Sequence, residues 1–245
     1  MDEALYEQLF VAESRHWWCG ARRRIVASLL DRYLPRDPGR RLRVCELGCG
    51  GGQTLADLSR RYDVCGMDPA RTAARFCARR GIPVEPGRLP DQVPFPAESF
   101  DAVLIMDVLE HVPDDAAAVA AAARCVAPNG LILATAPAGR YLYTIRDARH
   151  GHQRRYDRRS FGRLFRLPGF TVRRLSYFNC FLFPLACAFR LGPKPRVWLH
   201  EALDLTVPPR PINRILENLF ASEAQWLTHT DLPIGLSVLC VAVRE

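Results

Sequence analysis

A carboxylate followed at once by glycines is the first chemistry this chain offers. In VCELGCGGG, residues 44–52, Glu46 closes a short apolar run and Gly48, Gly50, Gly51 and Gly52 crowd behind it. Glycines in such a turn let a ligand reach the main chain with no Cβ in the way. About twenty residues on, Asp68 ends DVCGMD, a spacing suited to holding a ribose diol. Asp107 ends FDAVLIMD, with His111 four residues later, and His150 and His152 flank Gly151 in a polar, aromatic stretch. Histidine titrates near neutrality and is the natural candidate for a general base. Tyr156 and Arg155 nearby would orient an anionic or phenolic acceptor, or brace the helix that follows. Each acid also has a plain structural reading, Asp68 as a helix cap and Asp107 as a cap for the next turn.

The glycines alone fit several ligands. No Lys-Ser/Thr follows them, which argues against a nucleotide P-loop. A dinucleotide such as NAD would bring a pyrophosphate against Glu46, which would repel it. A ligand carrying an ammonium and a sulfonium would be drawn to the same carboxylate, and S-adenosylmethionine is such a cofactor.

The elements that must position these groups follow from periodicity. The first 34 residues read as helical, ending at LPRDPG. Short apolar strands are expected over 42–47, 63–68, near 83–85, over 100–107 and over 131–137, with helix-like stretches at 52–62 and 69–80 between them. Pro113 and two aspartates mark a helix start, and Asn129-Gly130 marks its end. A helix closed by Pro-Gly, a sixth strand TVRRLSYF and a seventh, LSVLCVAVR (236–244), complete the pattern. Strands alternating with helices imply a parallel sheet covered on both faces, with ligands bound beyond the strands' carboxyl ends. The long interval 178–235 reads as an inserted, largely helical cap.

Composition narrows the function classes. A chain of 245 residues, 49% hydrophobic, can bury one sizeable core. The net charge of +8 comes almost wholly from arginine, scattered along helix faces without a nucleic-acid-binding motif, so solvated faces or anionic ligands explain it better than duplex binding. Nine cysteines without a CxxC pair read as reduced thiols in a cytoplasm. No His/Cys set at zinc spacing and no acidic cluster of the metal-dependent catechol type is evident, so no metal is expected. The start, MDEALYEQLF, does not read as a secretion signal, and no apolar run reaches transmembrane length. YFNCFLFPLACAFRLG (177–192) is too short to span a bilayer and would wall an apolar pocket, pack in the core or rest on a membrane surface.

In order along the chain, CELGCGGG, GMDPA, VPFPAESFDAVLIMDVLEHVPD and APNGLILATAP resemble the motifs of the class I S-adenosylmethionine-dependent methyltransferases over roughly residues 42–137. The resemblance implies a Rossmann-like α/β fold: a seven-stranded sheet, mostly parallel with an antiparallel last strand, and helices on both faces. It implies that Gly48, Cys49 and Gly50 line the methionine portion of the cofactor. Asp68 would bind the ribose, Met67 and Pro69 would flank the adenine, and Asp107 would face the methionine end. Many relatives place an acid against the adenine where this chain reads GRLPDQ, so Arg88 and Leu89 would approach it through main chain and packing. In similar proteins EHVPD is largely structural.

AESRHWWCGARRRIVASLL is similar to the N-terminal segment of a bacterial subgroup associated with envelope glycan, lipid or secondary-metabolite pathways, which also carries GHQRRY. That likeness implies an N-terminal helical lid (1–38) in which Trp17 and Trp18 pack on the cofactor and Arg22 pairs with its carboxylate. Spacing alone does not choose among Arg22, Arg23 and Arg24. It also favours His152 as the base. The expected plan is one domain: the lid, a cofactor-binding core (39–177), the cap (178–235) and the last strand (236–245). The expected activity is methyl transfer to a small-molecule or lipid-linked acceptor, most simply at oxygen. The alternatives are a nucleic-acid methyltransferase and a non-catalytic cofactor-binding scaffold, and the oligomeric state is not written in the sequence.

Overall fold

The computed structural model describes residues 3–35, 39–191 and 207–245. Seven strands form one sheet in the order β3-β2-β1-β4-β5-β7-β6. They are β1 (Arg43–Leu47), β2 (Asp63–Asp68), β3 (Val84–Pro86), β4 (Phe100–Met106), β5 (Val126–Pro137), β6 (Phe170–Phe178) and β7 (Ser237–Arg244). β7 runs antiparallel between β5 and β6, and the remaining pairs are parallel. This is the expected Rossmann-like α/β sheet. The strand order reverses between β1 and β4, which opens a crevice beyond their carboxyl ends.

The central strands are largely apolar because both faces are covered. Along β4, Ala102, Leu104 and Met106 face one core while Val103 and Ile105 face the other, the two-residue alternation of a pleated strand. The first core is closed by α2 (Trp17–Tyr33), α9 (Arg210–Ala221) and α10 (Glu223–Leu227). The second is closed by α5 (Asp115–Arg124) and α7 (Arg158–Leu164). Among the described residues the remaining α-helices are α1 (Glu3–Arg15), α3 (Gln53–Leu58), α4 (Arg71–Arg79), α6 (Ile145–Arg149) and α8 (Phe183–Leu191).

The helical stretch expected over the first 34 residues is made of two helices. His16 adopts an extended backbone and its Nδ1 accepts the Trp18 N–H, capping α2. α2 buries Ala21, Ile25, Val26, Leu29 and Leu30 and is a helix of the sheet layer whose first turns also reach the crevice. α9 packs along α2, with Trp17 edge-on to Phe220 and Gly20 leaving room for Glu217. The described part of the 178–235 interval is largely helical, and 192–206 lies outside the described residues. Asn129-Gly130 does not end a helix: α5 stops at Arg124, and Asn129, at φ 62°, turns the chain within the irregular start of β5. Gly130 is required there, because a Cβ would stand 2.8 Å from the carbonyls of Ala127 and Asp101. The helix expected over 52–62 is shorter, ending at Leu58.

Candidate functional site

The glycine turn is the tightest part of the crevice. β1 delivers Glu46 and Leu47, and the chain then turns through Gly48 at φ 81° and Gly50 at φ 53°, a region open to glycine and costly for other residues. The N–H groups of Gly48 and Cys49 both donate to the Met67 carbonyl, tying the turn to the end of β2. Asp68 extends that tie: its carboxylate accepts the Gly50 N–H at 3.0 Å and the Ala70 N–H at 2.9 Å. It is not the N-cap of α4, since that position is Ala70. The Cys49 side chain packs toward Cys77 and Gly66. Met67 is buried against Gly87 and beside Leu89, Arg88 is exposed and pairs main chain to main chain with Gln92, and Pro69 is exposed at the rim.

Glu46 is buried and its Oε2 has no hydrogen-bond partner. Burial pushes this carboxyl up to about 8 against the pull of the Arg22 charge. Arg22 enters the crevice, where it is ion-paired with Asp107 and lies over the Trp18 ring. Arg23 turns to Asp57 and the Glu13 carbonyl, and Arg24 to Asn218. Asp107 takes φ 57° at the end of β4 and also accepts the Thr135 hydroxyl at 3.2 Å. Trp17 serves the contact with α9 and does not line the crevice.

Two residues at this end carried no signal in the sequence. Glu13, from α1, accepts the Gly51 N–H at 3.1 Å and sits beside Arg80. Arg80 donates to the Gly51 carbonyl and stacks on Phe10, which in turn stacks on Phe76 at 4.1 Å. The cavity left among Glu13, Arg22, Glu46, Gly48 and Gly50 is about 90 Å³. Small-molecule sites span roughly 300–1,000 Å³. With α1 in this position the cavity is smaller than such a site.

The second cluster lies beyond the end of β4, where the stretch after β5 folds back. Glu110 and His111 occupy a short 3-10 turn, and Gln153 pins the returning loop by donating from its N–H to the Glu110 carbonyl and from its side chain to the His111 carbonyl. This brings His152 within reach: ligand atoms of Glu110, His111 and His152 lie within 4.8 Å of one another. Asp147 orients His152 through Nδ1 at 3.0 Å and is itself held by Arg155 and by Thr144. Burial works against its charge, but the His152 hydrogen bond and the Arg155 guanidinium hold the Asp147 carboxyl well below the usual range. Burial lowers His111, and burial with Asp107 nearby lifts Glu110 well above the ordinary carboxylate range. The His150 ring stands 5.9 Å from that of His152.

Tyr156 is buried, and its single hydroxyl hydrogen is shared between Asp115 at 2.8 Å and the Leu109 carbonyl at 3.1 Å, a bracing geometry, while the residue also lines the basin on this flank. A shallow basin of about 520 Å³ on this flank is lined by residues such as Arg140, Arg154 and Asp115. Arg154 and Asp115 there are already paired at 2.9 Å.

The crevice residues fit the cofactor that the motifs imply. A buried carboxylate oxygen without a partner suits an ammonium, an Asp at the end of β2 is of the type that accepts ribose hydroxyls, and the glycines leave main chain bare. Comparison with known proteins points the same way. A family model described as a methyltransferase domain matches residues 19–175. The ubiquinone biosynthesis O-methyltransferase of Methylobacterium nodulans is 40% identical over 120 residues, which cover 44% of this chain and 48% of that protein. The protein of the same name from Hahella chejuensis is 39% identical over 99 residues, covering 38% and 41%. The chain thus spans under half the length of these curated relatives. Among solved structures, a SAM-dependent methyltransferase from Thermotoga maritima matches with a TM-score of 0.59 at 18% identity, over 98% of this chain and 99% of that one.

Proposed function

The chain belongs to the methyltransferase-domain family, and from that premise we propose that it transfers a methyl group from S-adenosylmethionine to a hydroxyl of a small-molecule acceptor. The observation that carries the reading is Glu46: a buried carboxylate with an unpartnered oxygen, at the switch in strand order, facing a bare glycine turn. When bound, the cofactor supplies an electrophilic methyl on a sulfonium that leaves as a thioether. The protein's part is then to align and to exclude water. Glu46 holds the ammonium, Asp68 the ribose and Arg22 the carboxylate, with Trp18 against it. Gly48, Cys49 and Gly50 offer main chain, Met67, Pro69, Arg88 and Leu89 surround the base, and Asp107 faces the methionine end. His152, with His150 beside it, handles the acceptor's hydroxyl.

The curated relatives support oxygen as the acceptor atom, since their names specify O-methylation. A nucleic-acid substrate draws less support, because many arginines are spent on ion pairs within the chain, among them Arg22, Arg23, Arg61, Arg155 and Arg174. A lipid-linked acceptor at a membrane surface is favoured by one feature, the exposed Phe181, Leu185, Ile212, Ile215 and Leu219 of the cap. No helix among the described residues is long and apolar enough to cross a membrane. Free cysteines fit a reducing cytoplasm.

The test is calorimetric titration with S-adenosylhomocysteine and, in parallel, with NAD. Saturable binding of the first, weakened about tenfold or more by Glu46→Ala, is the expected result, equivalent to at least ~1.4 kcal/mol. Binding of NAD alone would sink the reading.

A further inference from the structure

Glu110 is fully buried, and both of its carboxylate oxygens lack a partner. A buried carboxyl in that state stays neutral unless a cation joins it, and both of its oxygens are then open to one. The guanidiniums that act on it electrostatically are committed elsewhere: Arg22 to Asp107, and Arg155 to Asp147 and the Ala138 carbonyl. We propose that Glu110, His111 and His152 form a binding site for a divalent transition cation on the acceptor side of the crevice.

The geometry around each group supports this. His152 spends Nδ1 on Asp147, which leaves Nε2 directed at Glu110, 4.0 Å away. A buried carboxylate behind an imidazole is the arrangement that fixes the tautomer and orientation of metal-binding histidines. One ring nitrogen of His111 donates to the Gly151 carbonyl, leaving the other for a ligand bond, and the two rings meet edge to face at 4.8 Å. The three ligand atoms lie within 4.8 Å of one another. Bonds of about 2.0–2.1 Å bring two ligands of one ion to roughly 4 Å or less, so a closing movement of about 1 Å completes the site. His111 and His152 are only half-buried, which leaves the solvent side of the ion open.

The donor set selects the class of ion. Two imidazoles and one carboxylate suit ions from manganese to zinc, whereas calcium and magnesium favour all-oxygen sets. Such an ion holds water in its open positions. An acceptor hydroxyl that replaces one of these waters forms an oxygen–cation bond as the anion. The cation–water bond breaks, and the water and one proton leave to solvent. That use of the ion rests on the methyl-transfer reading; the binding of the ion does not.

The experiment uses the full chain freed of metal by chelator and gel filtration, titrated with ZnCl2 by calorimetry and with MnCl2 by electron paramagnetic resonance. One equivalent is expected to bind, with affinity reduced at least about tenfold in Glu110→Gln and in His152→Ala. S-adenosylhomocysteine binding by the same variants, which tests the other end of the crevice, is expected to stay within about twofold of the parent and also reports that they fold. Absence of saturable binding by the parent, or equal binding by the variants, overturns the site. Should a variant fail to fold, the cobalt-loaded parent decides. Intense visible absorption from four- or five-coordinate cobalt supports the site, and the weak spectrum of the hexa-aquo ion overturns it. Loss of S-adenosylhomocysteine binding with the cation retained would fail the methyl-transfer reading alone.

Discussion

The two ends of the crevice are assembled from different distances along the chain. At the end of β1, Glu46 and the four glycines fall within one short stretch, and Asp68 joins them through a single backbone hydrogen bond to Gly50. At the end of β4, Glu110 and His111 meet His152 only after about forty further residues, on a loop whose course is set by Asp147, Arg155 and Gln153. The first end is fixed by local turn chemistry and strand pairing. The second depends on a buried ion pair that touches no ligand. Substitutions remote from any ligand should therefore disturb the acceptor end and leave the cofactor end alone.

The largest expected effect tests that difference directly. Asp147→Ala strands Arg155 in a buried position and unties His152, so a loss of about 3–5 kcal/mol in urea-denaturation stability is expected. Folded Asp147→Ala protein should still bind S-adenosylhomocysteine normally. A loss of that binding in step with His152 mobility would merge the two ends into one unit and break the comparison.

Next in size, Asp68→Ala removes the acceptor for Gly50 and Ala70 and the group assigned to the ribose. Calorimetry should read an affinity loss of about 1.5–3 kcal/mol, with zinc or manganese binding at the other end untouched. An equal loss at both ends would again join them.

The smallest effect concerns pH. Glu46 is held protonated up to about 8 in the folded chain, against an ordinary carboxylate value when unfolded. The folded state thus binds the extra proton, and its contribution to stability is present in acid and is lost as pH rises toward and through 8. Glu46→Gln should abolish this slope and leave the variant more stable than the parent at pH 9, by about 1–3 kcal/mol. A cationic ligand prefers the carboxylate, so parent affinity for S-adenosylhomocysteine should climb over the same interval. Thermal unfolding and titration from pH 6 to 9 check both, and a flat profile would mean that Glu46 is ionised throughout.

The same contrast governs what could be seen in the chain before its structure. β2 is found at the residues its alternation marks, and β1, β4 and β7 lie within one residue of theirs, because fully covered strands leave unbroken apolar runs. Glu46, the glycines and Asp68 were legible because their work is done within a few residues of the turn. Asn129-Gly130 misled because a helix end and a bulged strand both call for a positive φ, and only pairing with β4 decides between them. Arg22 could not be told from Arg23 by spacing, since all three arginines lie on one turn of α2 and tertiary partners choose. Glu110 looked structural because the residue it faces, His152, is remote in sequence. Tyr156 sits in a polar loop by sequence, yet its hydroxyl is spent on Asp115. Glu13 offers no pattern at all, being one acid on a helix whose role is set by where α1 lands.

Glu13 on the Gly51 amide holds α1 at the glycine turn, so a ligand that needed α1 to lift would bind against that contact. The apparent dissociation constant of anything entering the glycine turn is the intrinsic one divided by the fraction of molecules in which α1 has lifted. If one molecule in about ten is open, affinity falls tenfold without any change in the contacts made. For such a ligand, the contacts of Phe10 on Phe76 and Arg80 on Phe10 would set how much of it the surroundings must hold before the crevice fills. Selection could move that threshold at Phe10 or Phe76, positions that need never touch a ligand.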